Sequence, residues 1–375
     1  MSARARLRAV VPAPLSPAWA DPPEITGPPG ARTLVQRSDD ALVARPLDDA
    51  FAPRAGADVR FPAPWPRHHG TCGVAPDARL AVFAGVHAVR AVEPSGATRW
   101  EVRHGCWAFS CQEPHASYDA YADRRDHRYP NSGSVGFSTG GGAVWAHVRG
   151  PLPGDGPGRG AADEWLVVDA GDGRVLARAG AGAEAAGSVH LPHPSDPRRM
   201  GLSIGEGQDG APLRWGRWDG TELAVDRLAE DLCLLGLDPS GDRLMTVSHD
   251  QDLLAVRDTR GAVVGALEWD AGTVVPRHPG VPADADAEDE APACWDWAGG
   301  FLDGTTLIAS TTESDDEWGP GRHWLVDTTG TRGLVPVDYP APVSGVPTAL
   351  GGGVWSTPSP DRDALHVWSL DTPEG

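Results

Sequence analysis

Residues 234–269, LLGLDPSGDRLMTVSHDQDLLAVRDTRGAVVGALEW, constrain this chain more than any other feature. Three turn signals follow in succession: Asp238-Pro239-Ser240-Gly241, His249-Asp250-Gln251-Asp252 and Asp258-Thr259-Arg260-Gly261. The runs between them are short, rich in Val, Leu and Met, and carry no helix punctuation. Four short strands joined by three tight turns make an antiparallel meander. The third turn recurs as Val92-Glu93-Pro94-Ser95-Gly96, as Val168-Asp169 with Gly171 and Gly173, as Trp218-Asp219-Gly220, and as Val326-Asp327-Thr328-Thr329-Gly330. The first recurs in Pro76-Asp77-Ala78-Arg79, in 138–142 and in Leu302-Asp303-Gly304. An Asp side chain caps the following amides, and Gly accepts the positive φ of a tight hairpin.

The period gives units at 67–104, 131–184, 185–228, 229–272 and 290–339, each close to the roughly 40–50 residues of a propeller blade. Another unit lies within 12–66, where RTLVQRSDDALVAR parallels 243–257. The last stretch, 340–375, supplies three strands ending at Ala364-Leu365-His366-Val367-Trp368 and lacks a fourth. Arg6-Leu7-Arg8-Ala9-Val10-Val11 is left over and can complete it. The expected fold is therefore all-β: a seven-bladed β-propeller spanning 1–375 as one domain, with six blades as the alternative, closed by pairing the N-terminal strand with the last blade. A four-stranded sheet of this length cannot bury both faces alone; stacking sheets in a closed ring buries them all. The 47 Gly and 36 Pro punctuate the chain too often for many long helices. Fifteen Trp against 6 Phe and 4 Tyr suit the wedge-shaped gaps between sheets. Two stretches argue for local helix instead: 221–235, with Leu223, Leu228, Leu232 and Leu235 at nearly helical spacing, and 115–129.

Residues 237–258, LDPSGDRLMTVSHDQDLLAVRD, resemble a blade of the WD-repeat β-propeller family. The likeness lies in the Asp-Pro-x-Gly-type turn, the Ser-x-Asp segment and the terminal Asp. Trp218-Asp219 stands at the family's namesake dipeptide, while Arg257-Asp258, Val168-Asp169 and Val326-Asp327 keep only the acid. The family's Gly-His dipeptide is missing throughout. The resemblance implies a scaffold that presents rims and a central channel to partners, and implies no activity.

Charge and composition exclude several functions. Fifty-two acids against 32 basic residues give a formal charge of −20, a field that repels nucleic acid and anionic membrane surfaces. Every basic residue is arginine; without lysine there is no P-loop, kinase, Schiff-base or serine–lysine chemistry. Five cysteines, odd in number and sparse, suit a reducing compartment. Arg4, Arg6 and Arg8 before Ala9-Val10-Val11 mimic a signal peptide, but Pro12, Pro14 and Pro17 break the apolar stretch. No segment approaches the roughly 20 apolar residues that span a bilayer, and the expectation is a cytoplasmic protein.

Among candidate sites, residues 105–130 form an inter-blade insertion that concentrates Trp107, Phe109, His115, Tyr118, Tyr121, Arg124 and Arg125, the composition of recognition hot spots. The same segment holds Cys106-x4-Cys111-x3-His115, with His104 and His127 nearby. It lacks a second Cys or His pair at zinc-ligand spacing, so no metal and no cofactor are expected. Gly201-Leu202-Ser203-Ile204-Gly205 matches a nucleophile elbow, but a turn follows where the elbow needs a helix. The acidic loop 276–290, with Asp284, Asp286, Glu288, Asp289 and Glu290, departs from a calcium loop by having Asp289 where glycine is required. Ser314-Asp315-Asp316-Glu317 reads likewise as a solvated run. The triple glycines at 140–142 and 351–353 are turns, since neither G-K-[ST] nor a helix follows. No catalytic residue is named. The leading expectation is a non-enzymatic scaffold that binds a protein partner through one rim. The alternative is an enzyme or small-ligand binder (sugar or metal) using the central channel.

Overall fold

The structure, a computed structural model, describes residues 2–54, 56, 58–108, 111, 114–156, 161–279, 293–313, 321–330 and 333–371. The acidic residues 284–290, the run 314–317 and Phe109 lie outside the described residues.

Five four-stranded antiparallel sheets occupy 24–62, 70–103, 135–180, 187–229 and 232–270. The acids and hydroxyls at their turns act as the sequence requires. Asp169 Oδ1 accepts from the Gly171 and Asp172 amides, Asp219 Oδ1 from Thr221 and Glu222, and Asp258 Oδ1 from Arg260 and Ala262. Asp238, Ser138 and Asp303 cap the earlier turns in the same way. Gly261, at φ +86°, takes the left-handed position that closes its hairpin.

The remaining strands form one eight-stranded sheet. Its first half runs Ala293–Phe301, Thr306–Glu313, Arg322–Asp327 and Leu334–Asp338; its second half runs Thr348–Gly351, Val354–Pro358, Ala364–Leu370 and the N-terminal strand Ala3–Pro12. The N-terminal strand pairs antiparallel with Ala364–Leu370, from Ala5↔Leu370 to Pro12↔Ala364. A short parallel bridge, Ala3↔Val337 and Arg4↔Asp338, joins the halves.

Apolar clusters lie between consecutive sheets and return to the start. Leu42, Ala44 and Phe61 meet Ala81 and Phe83; Val82 and Trp100 meet Val144 and Leu166; Trp145 and Trp165 meet Met200 and Leu202. Leu213 and Trp215 meet Leu234 and Leu244, and Met245 and Val256 meet Trp295 and Leu307. Ile308 meets Trp355 and Trp368. Finally Val11, Leu350 and Leu365 pack on Ile25 and Leu34, closing the ring. Trp65, Trp107, Trp145, Trp165, Trp215, Trp295, Trp355 and Trp368 are all essentially inaccessible. At about 150–250 Å² per ring and about 25 cal/mol per Å², each contributes about 4–6 kcal/mol before ordering costs.

Both helix alternatives give way. Residues 221–235 form Leu223–Ala229 and Leu232–Leu237, because Leu223, Leu228 with Leu232, and Leu235 belong to three different clusters. Residues 115–129 contain only the single 3-10 turns Tyr118–Ala120 and Arg125–His127. Among the described residues no helix is long and apolar enough to cross a membrane.

Candidate functional site

Between the outer strand Thr98–Arg103 and the next sheet's inner strand Val135–Phe137, the chain crosses one rim of the ring. Backbone bonds fix its first residues: His104 N–H donates to His87 O (2.9 Å), Gly105 N–H to Arg149 O (2.7 Å) and Trp107 N–H to Val86 O (3.0 Å). Gly105 is required here, since a Cβ would stand 2.1 Å from Gly150 O. The Trp107 ring is 1% exposed and lies edge-on to His147. Tyr121, equally buried, shares a 2.8 Å hydrogen bond between its hydroxyl and His87 Nδ1. His69 Nε2–H donates to the His127 carbonyl at 3.1 Å, tying the far end of this crossing to the neighbouring loop.

Inside this frame Cys106 Sγ, Cys111 Sγ, His115 Nε2 and His127 Nε2 converge, with the four donor atoms within 4.8 Å of one another. Cys106 Sγ is 3.3 Å from His127 Nε2, Cys111 Sγ is 3.3 Å from His115 Nε2, and the two Nε2 atoms are 3.0 Å apart. His115 and His127 are buried, as is Cys106; Cys111 is half-buried. Tyr121 stacks on the His127 ring (centroids 5.1 Å) and leans against His115 (4.9 Å). His127 Nδ1 contacts Asp126 Oδ1 at 2.9 Å, and Arg124 grips the same carboxylate. Hydrogen bonds from Arg124 and then His127 hold the Asp126 carboxyl well below the usual range. Burial pushes the Cys106 thiol up to about 12, with the Cys111 thiol adding to the rise. Burial also lowers His87 and His104 to about 4.

The structure divides the residues expected to meet a partner. Trp107, His115 and Tyr121 face inward and serve as footing. Tyr118 is half-buried, edge-on to His69 and Tyr121, whereas Arg124 and Arg125 are exposed. Composition singled out the inward three because packing and recognition draw on the same aromatic residues. It passed over Arg128 and Tyr129, whose ring is 83% exposed beneath the Arg128 guanidinium. Cys106, Cys111 and His127, read in the sequence as a Cys/His cluster that lacks a second zinc-ligand pair, are brought together with His115. The local signal Cys-x4-Cys-x3-His was legible with His104 and His127 both nearby, and the fold selects His127 as the fourth member.

Elsewhere, Ser203 of the G-x-S-x-G stretch lies within the strand Arg199–Gly205 and accepts from the Leu234 amide, so no elbow forms. The first strands at 70–74, 135–137, 187–192, 232–237, 293–301 and 348–351 touch in succession. They carry three thiols, Cys72, Cys233 and Cys294; burial pushes the first two up to about 11, which leaves those two protonated and weakly nucleophilic at neutral pH. Burial also raises the Glu24 carboxyl.

No protein-family model and no curated protein sequence match the chain. Solved structures do. Hsv2 of Kluyvelomyces marxianus aligns with a TM-score of 0.52 at 9% identity, covering 94% of this chain and 98% of that one. A prolyl endopeptidase aligns at 0.51 and 9% identity over 98% of this chain but only 51% of its own, so this chain spans about half its length. The β-propeller domain of the Trilobed protease from Pyrococcus furiosus aligns at 0.46 and 10% identity, covering 93% and 95%. The closed ring of stacked antiparallel sheets is that of a β-propeller. Identities this low speak to the fold alone.

Proposed function

We propose that this chain is a single seven-bladed propeller of degenerate WD-repeat-like blades, with 105–130 as an inter-blade insertion, that works without catalysis by presenting one rim to a protein partner. Counting the eight-stranded sheet as two blades joined by the Ala3–Val337 bridge supports seven. The observation that carries the functional reading is the two-sidedness of the insertion. Trp107, Tyr121 and His127 are sunk into the rim, while Arg124, Arg125, Arg128 and Tyr129 stand outside. Tyrosine and arginine dominate binding hot spots, and a footing this well packed reduces the ordering cost of association. The channel reading draws little from inner-strand thiols held protonated.

The test is a triple variant, Arg125→Ala, Arg128→Ala and Tyr129→Ala, compared with the unmodified chain and with Arg79→Ala, which alters an exposed turn on the opposite rim. Affinity capture from the host lysate should show a partner retained by the unmodified chain and by Arg79→Ala, and held at least about 10-fold more weakly by the triple variant. An identical set of captured proteins for all three would remove the insertion from the function.

A further inference from the structure

We propose that Cys106, Cys111, His115 and His127 bind one Zn²⁺ ion that clamps the insertion onto the rim. The inference is independent of the partner reading and stands on the convergence of four side chains from a single loop.

Zinc binds sulfur at about 2.3 Å and imidazole nitrogen at about 2.0–2.1 Å in a tetrahedron. The edges of such a tetrahedron are about 3.3 Å between nitrogens and about 3.5 Å between nitrogen and sulfur. The three close contacts here, 3.0, 3.3 and 3.3 Å, match those edges to within a few tenths of an ångström. All the other pairs fall within 4.8 Å.

Hydrogen bonding within the cluster is a poorer account of the same geometry. Asp126 Oδ1 stands 2.9 Å from His127 Nδ1, placed to accept its hydrogen, and in that tautomer His127 Nε2 carries one in-plane lone pair and no hydrogen. That lone pair faces both Cys106 Sγ and His115 Nε2. His115 Nε2 is in turn shared with Cys111 Sγ. Each ring nitrogen can serve one such contact well, whereas one central cation accepts a lone pair from all four donors together.

The surroundings also suit a metal. A carboxylate on the far nitrogen of a histidine ligand is the usual outer partner that orients the ring and raises its basicity. The Ala108 amide donates to Cys106 Sγ at 3.3 Å, a bond that favours a thiolate. Tyr121 fixes both imidazole planes. As zinc enters, two S–Zn bonds form, two S–H bonds break and both protons pass to solvent. Two thiolates balance the 2+ charge, so the buried centre is neutral. The mixed sulfur–nitrogen set with borderline-soft donors favours zinc over calcium or magnesium.

The full chain, purified under reducing conditions, is expected to retain one zinc per chain by elemental analysis. Cys111→Ser and His127→Ala should each fall below about a tenth of that, while Cys72→Ser and Cys294→Ser keep it. Co²⁺ added to the chelator-stripped, unmodified chain should give the visible bands of a tetrahedral ion and a sulfur-to-cobalt charge-transfer band, a readout that needs no variant to fold. Stripping should speed trypsin cleavage after Arg124, Arg125 and Arg128 by about 10-fold or more, and Zn²⁺ alone should reverse it. The proposal is overturned by a chain that holds no zinc after reconstitution, by equal zinc content in the Cys111 and Cys72 variants, or by an octahedral Co²⁺ spectrum. Copper held by these residues in place of zinc would overturn the assignment of the metal.

Discussion

Lowering the pH from 7.5 to 5.0 should remove most of this protein's stability, and the cause is a set of buried imidazoles. His87, His104, His147 and His323 are between 0% and 4% exposed. Burial lowers His87, His104 and His323 from 6.5 to about 4, and His147 to about 3. Between pH 6.5 and 4 the unfolded chain binds protons that the folded chain refuses, so stability is full above pH 6.5 and declines as the pH falls. At pH 5 each histidine costs about 2 kcal/mol, since one pH unit corresponds to about 1.4 kcal/mol. Four of them cost about 8 kcal/mol, against a total stability of about 5–15 kcal/mol for a folded protein. Asp163 works in the opposite direction. Burial raises its carboxyl to about 6, so the folded chain takes that proton first and regains about 1 kcal/mol by pH 5. Urea unfolding followed by tryptophan fluorescence at pH 7.5, 6.5, 5.5 and 5.0 measures the slope. His323 provides a clean probe, because it bonds Tyr339 Oη and Gly345 O on a sheet away from the cysteine cluster. In His323→Gln, whose amide can still reach those oxygens without titrating, the loss between pH 7.5 and 5.0 should shrink by about 2 kcal/mol. A wild-type stability that changes by less than about 1 kcal/mol over this range, or an unaltered slope in His323→Gln, would refute the reasoning.

Three further outcomes follow from the packing. Deleting residues 1–12 removes the strand that completes the last sheet and takes Ala5 and Val11 from the clusters on either side of it. The truncated chain should melt far earlier or aggregate through its bare edge, as circular dichroism and size-exclusion chromatography would show. Trp324→Phe and Trp368→Phe each delete an indole N–H that bonds a buried threonine hydroxyl, Thr311 at 2.8 Å and Thr357 at 2.9 Å. Each should cost about 1–3 kcal/mol in urea, while Trp297→Phe, at a ring 51% exposed, should change stability by about 0.5 kcal/mol or less. Gly133→Ala places a methyl 1.8 Å from His147 O at the root of the insertion and should cost about 3 kcal/mol or more. Gly142→Ala, with nothing within 4 Å, should be nearly silent in the same thermal melt.

What could be read in advance, and what could not, divides by the range of the interactions involved. A hairpin turn is a contract among four or five consecutive residues. Asp258 caps Arg260 and Ala262, and Asp219 caps Thr221 and Glu222, so these turns and the strands between them are visible in the chain itself. The closing strand was legible by exclusion: Ala364–Leu370 needed a partner, and 6–11 was the apolar stretch left without one. The apparent helix at 221–235 misled because leucines at nearly helical spacing were in fact shared among three inter-sheet spaces. The cysteine–histidine cluster lay further out of reach. His127 joins it through a carbonyl hooked by His69 and a ring stacked on Tyr121, whose hydroxyl is held by His87 on another loop. None of those links has a fixed spacing, so in the sequence His127 is one of two histidines near Cys106, Cys111 and His115, and nothing there chooses it over His104 or brings it to the other three. The aromatic residues of the insertion then acquire two trades that composition alone cannot separate. Trp107 and Tyr121 build the footing that brings four donor atoms together, and Tyr129 with the arginines forms the face that this footing holds in place. Holding that face is what a metal clamp would add to a loop whose described residues form no regular secondary structure beyond two short turns.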